Sequence, residues 1–451
     1  MEHTVKAADL ENKLNSINLK EREVALHSLR LMMNDGELPL DPEKRQINLH
    51  CHTFFSYNGY GYSPTYIAWW AKKTGLFAAA IVDFDVLDGV DEFLKASWSL
   101  NLRSAAGIET RVFIPELSDK EINSPGEPGI SYHCGIGFVC SAAPKKSAPF
   151  LQKLKTNAAD RTRDIVSRVN AYLKTVVVDF DKDVLPLTPS GNATERHVCS
   201  AYYRKAEEIL PDASLRSAFW SEKLQTPPDK MSKIINDPVQ LQNLIRSKTM
   251  KMGGAGYVKP DPKSFPELSD MNKFIRECGA VPVVAWLNGE SGGEKNPGEL
   301  LDLHMKRGAE MVNIIPDRNW NFPDPEIRKK KIAELHKFIE ASKERDLPII
   351  VGTEMNAPGQ CLVDNFESDA LKPYLEDFIT GAEIIFAHTL LQHAGMGYLS
   401  DWASSNFVTR RDKNAYYAEI GRSCLPAALD KIAFCGPEMT KEKVMELIKG
   451  K

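Results

Sequence analysis

The 451-residue sequence predicts an α/β fold, a barrel of βα units carrying one helical insertion and extra helices at both ends. Three observations lead there. Short runs of β-forming residues alternate with segments of helical period over residues 47–140 and again over 253–390, the pattern of repeated βα units. Between 141 and 252 the alternation stops, and Lys-, Asp- and Ser-rich sequence keeps a helical period with hardly a strand. Candidate ligands then recur at the ends of the predicted strands, which in a parallel barrel share one face.

Residues 1–46 read as an N-terminal helical extension, because Leu10, Leu14, Ile17, Leu19, Val24, Leu26, Leu29 and Met32 recur in a broken helical period. The first strand is Ile47-Asn48-Leu49-His50-Cys51-His52, and its two imidazoles, two residues apart, project from one side. A Gly-containing loop follows. A helix over 64–74, a strand over 79–84, a helix over 90–99 and a strand over 104–109 continue the pattern and argue for a parallel sheet. A further strand is expected over 133–140, completing a first barrel segment, 47–140.

The insertion, 141–252, carries helical periods over 160–173, 194–210 and 238–248 and reads as a lid. The loop 252–260 places three glycines near Lys259. It could cradle a phosphate, or it is a plain re-entry loop, since the spacing matches neither the Walker nor the dinucleotide pattern. The second barrel segment, 253–390, predicts a helix over 264–278, strands over 281–286, 310–315 and 348–353, a helix over 325–345, and one more strand over 383–388. Residues 391–451 read as a C-terminal helical segment.

An apolar content of 43%, a charged content of 26% and a formal charge of -4 are ordinary for a globular chain and give no reason to expect nucleic acid or an anionic membrane as partner. No apolar stretch approaches membrane-spanning length, and the N-terminus lacks the apolar run of a secretory signal. Eight cysteines without C-x-x-C spacing suggest neither a disulfide framework nor a zinc ribbon. A cytoplasmic protein acting on a small molecule is the expectation.

The candidate ligands at strand ends are His50, His52, Asp83, Glu109, His133, Glu354 and, later, His388. A mixture of imidazole and carboxylate suits Zn²⁺, Mn²⁺ or Fe²⁺ better than Ca²⁺ or Mg²⁺. The competing reading of His50 and His52 is a packed structural pair. Asp83 is open to three readings: a ligand, a base, or a carboxylate that orients a ligating imidazole. His388 and His393 either supply a ligand from an adjacent strand or are packed.

The order of these residues resembles the polymerase and histidinol phosphatase (PHP) superfamily of metal-dependent phosphoesterases. The matching stretches are Asn48-Leu49-His50-Cys51-His52-Thr53 with Ser56, Ala80-Ile81-Val82-Asp83-Phe84-Asp85 with Asp88-Gly89, Gly107-Ile108-Glu109, and Tyr132-His133-Cys134-Gly135-Ile136-Gly137-Phe138. Weaker echoes come at Val284-Ala285-Trp286 and Gly352-Thr353-Glu354-Met355-Asn356. The resemblance covers 47–140 well and 255–360 loosely, with nothing to align in the insertion. It implies a distorted seven-stranded barrel with up to three metal ions at its C-terminal mouth.

The departures from that pattern sort by ion. His50, His52, Glu109 and Glu354 would keep a full first site. A second site would keep Glu109 and His133 but meet Trp286, whose indole offers only an N–H donor. A third would lose most of its shell through Phe84, Asn356 and Asn58. The resemblance therefore implies one firm divalent transition metal and a second, weak site.

The expected function is hydrolysis of a small phosphorylated metabolite by a metal-activated water, with Asp83 or His133 as proton acceptor. Trp286 would line the pocket or fill it as core. Lys259 and Arg318 would bind the substrate, with Lys295, Arg410 and Arg411 as further cationic candidates. Two other readings stand beside this one: metal-dependent hydrolysis of a non-phosphate bond, and a non-catalytic binding protein with one retained ion.

Overall fold

In a computed structural model of the chain, which describes residues 2–259 and 261–449, seven strands form a single sheet in sequence order. They are β1 (Ile47–Cys51), β2 (Ala78–Phe84), β3 (Arg103–Phe113), β4 (Ile130–Ile136), β5 (Val281–Trp286), β6 (Met311–Ile314) and β7 (Ile349–Val351). Met1, Pro260 of the glycine-containing loop, Gly450 and Lys451 lie outside the described residues. The sheet curls into a nearly closed, distorted barrel. Just past β7 the chain returns to β1: the His52 N–H donates to the Glu354 carbonyl at 2.7 Å, and the Glu354 N–H to that of His50 at 2.8 Å. Gly352 permits this approach, since a Cβ there would lie 2.3 Å from the His50 nitrogen.

The crossover helices begin where local chemistry starts them. Pro64–Lys73 has a proline in its first turn and the Ser63 side chain accepting from the Tyr66 N–H, which satisfies a donor that the helix itself leaves free. The N-terminal extension forms the helices Glu2–Lys13 and Leu19–Asn34, and Lys441–Lys449 is the last helix described. All eight cysteines are unpaired. Among the described residues no helix is long and apolar enough to cross a membrane.

Two expectations are corrected. The sheet is not wholly parallel, because β4 runs antiparallel to both β3 and β5. Between β3 and β4 lies only a 3₁₀ turn, Pro115–Leu117, and without a crossover helix the returning strand pairs antiparallel. Residues 383–388 are not a strand. They belong to the helix Leu375–Gln392, buried without interruption from Gly381 to Leu391. A helix covered on every side has no polar stripe, so its sequence shows no helical period. The expected boundary at 390 falls inside that helix.

The helix Leu375–Gln392 packs across β1, β3 and β7 on one side and the helix Arg410–Ser423 on the other. His388 is absorbed by this packing: its Nε2–H donates to the Gly137 carbonyl at 3.1 Å, and its Nδ1 accepts from the Tyr398 N–H at 2.9 Å. His393 meets the edge of Trp98 at 5.0 Å. Neither joins a candidate metal group among the described residues.

Within the insertion the main helices are Ala148–Leu173, Glu195–Ile209, Ala213–Lys223, Pro228–Ile234 and Pro238–Thr249, with no strand among the described residues. They close around a core of their own that includes Val169, Val198, Tyr202, Trp220, Leu241 and Ile245. Asn192 ties this unit to the barrel rim, its Nδ2 donating to the carbonyls of Phe84 at 2.8 Å and Phe55 at 3.1 Å.

A Cβ at Gly381 would sit 2.0 Å from the Ile349 carbonyl oxygen. Gly381→Ala should therefore destabilise the protein by about 1–3 kcal/mol, although glycine to alanine in an open helix stabilises by about 1 kcal/mol. A raised urea midpoint would contradict this contact. Burial also holds His133, His197 and His388 down to about 4 and His304 to about 3. The unfolded chain takes up these protons first, so each group costs up to about 1.4 kcal/mol of stability per pH unit as the pH falls from about 6.5 toward its folded value, and nothing above 6.5. His388→Gln should flatten that slope in urea titrations between pH 6.5 and 4.5.

Candidate metal centre

β1 delivers His50 into the barrel, and the first residue beyond its end in the loop, His52, follows on the same side. The two Nε2 atoms lie 3.4 Å apart, and both face the Glu109 Oε2 on β3, at 3.5 Å from His50 and 3.1 Å from His52. All three residues are buried, and their ligand atoms fall within 4.8 Å of one another.

The outer nitrogens settle which atoms are free. His50 Nδ1–H donates to the Asn313 Oδ1 on β6 at 2.9 Å. Ser56 gives its hydroxyl proton to the Asp83 Oδ1 at 2.6 Å, so its oxygen accepts from His52 Nδ1–H at 3.1 Å. Both Nε2 lone pairs then point at Glu109, whose Oε2 has no hydrogen-bond partner. Two imidazole lone pairs and an orphaned carboxylate oxygen form a donor set that fits a divalent transition ion. Without one, protons take its place. Burial opposes charge on His50, yet Glu109 lifts that imidazole above its ordinary value. Burial likewise favours neutral Glu109, yet the two imidazoles hold its carboxyl below the usual range.

Asp83 stands behind His52. Its oxygens accept from the Thr53 N–H at 2.7 Å, the Thr53 hydroxyl at 2.7 Å and Ser56, so it orients the imidazole and is not itself presented to the pocket. Phe84, at a position where the family resemblance implies histidine, stacks on the His52 ring at 4.2 Å.

The structure does not bring the remaining expected residues together as anticipated. His133 sits on the helix side of β4, bonded through Nε2 to the Asn272 Oδ1 at 2.5 Å and stacked 5.8 Å from His304. Strand alternation presents Tyr132 to the pocket instead. Glu354 lines the pocket in a left-handed conformation, φ 62°. Its Oε2 accepts from the Arg318 guanidinium and from Asn356 Nδ2, and it stands outside the tight His50–His52–Glu109 group. Trp286 is 3% exposed at the pocket wall and stacks on Phe338 at 4.6 Å. Lys259 is exposed on its loop and is not among the lining residues. Arg410 and Arg411 pair with Glu310 and Asp346.

The pocket above the ligand group has a volume of about 430 Å³ and combines barrel and insertion. Six cations line it, Arg111, Arg161, Arg196, Arg246, Lys251 and Arg318, against four carboxylates, Asp85, Glu109, Glu195 and Glu354. Glu195 is shared by Arg246 at 2.8 Å and Lys251 at 2.7 Å. Arg196 forms no ion pair among the described residues and donates to Asn243. Burial, with the charge of Arg246 close by, pushes both Arg196 and Lys251 down from their ordinary values. Four of these cations come from the insertion. Nothing in the local sequence marks them, because which face of a charged helix meets the barrel is decided by tertiary packing.

No family model matches the chain, and no curated protein matches it. Among solved structures it is similar to an amidohydrolase from Chromobacterium violaceum with bound sulfate and no metal, with a TM-score of 0.49 and 16% identity over 73% of this chain and 96% of that one. It is also similar to a protein from Bifidobacterium adolescentis described as a metal-dependent phosphoesterase, with a TM-score of 0.45 and 18% identity over 75% of this chain and 98% of that one.

Ser56→Ala removes the acceptor that orients His52. The affinity for Zn²⁺ or Mn²⁺ should fall roughly 10- to 100-fold, the usual effect of losing such a partner, with the fold retained. Competition titration against a chelating dye measures it, and unchanged affinity would show that His52 is not a ligand.

Proposed function

We propose that the protein is a metal-dependent hydrolase of a small anionic substrate, a phosphate ester foremost, and a divergent member of the PHP superfamily. One observation carries this reading: a group of three buried ligand atoms with lone pairs to offer reaches, through His50 and Glu109, the floor of a pocket whose walls hold more cations than carboxylates. When bound by His50, His52 and Glu109, a divalent transition ion supplies Lewis acidity, which lowers the pKa of a water and polarises the substrate oxygen.

The chain's own residues do the rest. Asn313 and Ser56 hold the two imidazoles in the tautomer that offers Nε2. Arg196, Arg246 and Lys251 neutralise the substrate's charge from the insertion side, and the guanidinium groups suit the paired oxygens of a phosphate. With Asp83 saturated, His133 outside the barrel and Glu195 held by Arg246 and Lys251, Asp85 and Glu354 are the lining carboxylates left to accept the proton of the attacking water. His133, bonded to Asn272 on the other side of β4, does not supply the ligand that the resemblance implies for a second ion. A capped pocket of about 430 Å³ suits a metabolite better than a polymer.

Metal-reconstituted protein should hydrolyse simple phosphate esters with Zn²⁺, Mn²⁺ or Fe²⁺, and His50→Ala should abolish this. Arg196→Gln should raise KM roughly 10- to 100-fold with kcat little changed, as expected for a lost charge-assisted bond of about 1.5–3 kcal/mol. Turnover of neutral amides or esters, with none of phosphate esters, would overturn the assignment of substrate.

A further inference from the structure

A second group of metal-ligating side chains lies apart from the barrel triad. Asp317 opens the one-turn helix Asp317–Trp320 after β6, while Cys361 and Asp364 lie on the loop after β7. Their ligand atoms are within 4.8 Å of one another. Asp364 is 2% exposed, and its Oδ2 has no hydrogen-bond partner. The donors that reach the two acids are neutral: Trp320 Nε1–H to the Asp364 Oδ1 at 3.3 Å, the Asp317 N–H to Asp364, Asn321 Nδ2 to the Asp317 Oδ1 at 2.9 Å, and the Cys361 thiol to Asp317. Among the described residues no lysine or arginine forms an ion pair with either acid.

Crowding two carboxylates in a partly dry site without a cation is unfavourable, since their repulsion is weakly screened there. We propose that Asp317, Cys361 and Asp364 bind a divalent transition ion such as Zn²⁺, distinct from any ion held by His50, His52 and Glu109. One thiolate and two carboxylates make a borderline donor set that favours Zn²⁺ over Mg²⁺ or Ca²⁺. On ligation Cys361 gives up its Sγ proton and Asp364 its carboxyl proton to solvent, and the orphaned oxygen of Asp364 gains a partner.

The ion acts as a clamp. It joins the loop that carries Glu354 and Asn356 to the segment that carries Arg318, whose guanidinium donates to Glu354. The β7 loop is tied to the barrel at the same place, where Asn48 Nδ2 donates to the Leu362 carbonyl at 2.8 Å. The site stands on its own ligands and does not depend on the hydrolase reading.

Cobalt substitution separates the two sites, because only a thiolate ligand produces a sulfur-to-cobalt charge-transfer band in the near ultraviolet. Full-length apoprotein titrated with Co²⁺ should develop that band. His50→Ala/His52→Ala should keep it with about one Co²⁺ per chain, and Cys361→Ser should lose it while its other site still fills. Asp364→Asn, a second variant should Cys361→Ser not fold, should weaken Co²⁺ binding at the band roughly tenfold or more. Absence of the band in folded wild-type protein overturns the proposal, as does its persistence in Cys361→Ser or at full affinity in Asp364→Asn.

Discussion

A carboxylate taken out of water must find positive charge or donors, or it will not stay ionised. Glu109 is that carboxylate, buried on β3 with one oxygen given no hydrogen bond by the protein. What surrounds it answers this demand. β1 brings one imidazole and the turn after it the other, β6 contributes Asn313 to fix the first, and Asp83 on β2 fixes the second through Ser56. Protons and metal compete for the same lone pairs, so acid and chelators act on one centre.

The residues at positions where the family resemblance implies histidine take packing roles. Phe84 lies on the His52 ring and shields one face of it. Trp286 turns its face to Phe338. Four of the six pocket cations come from helices that pack around their own core and meet the barrel at its rim.

The barrel triad was legible in part: strand periodicity places His50 and His52 on one side, whereas Glu109, expected at a strand end, lies inside β3, which runs on to Phe113. The helix over 90–99 was legible to the residue, since its amphipathic period is unbroken. His133 was not. Its strand begins three residues earlier than expected and runs antiparallel, and on a strand the choice between neighbours, His133 or Tyr132, reverses the face. The absence of a helical period between Glu109 and His133 was the available sign. Residues 383–388 misled for the opposite reason, a helix so deeply buried that its sequence resembles a central strand. The pocket cations and the Asp317–Cys361–Asp364 group draw on distant segments and leave no local mark.

Closure of the barrel carries a further meaning for how the protein is made. The backbone that locks His50 and His52 in place belongs to the stretch around Glu354, and Asn48 meets Thr353 across 305 residues of sequence. On the ribosome, the two histidines emerge long before the strand that secures them, with the whole insertion synthesised in between. A contact of such high order forms late. The barrel site is therefore among the last parts of the molecule to mature, and metal capture marks a chain that has finished folding.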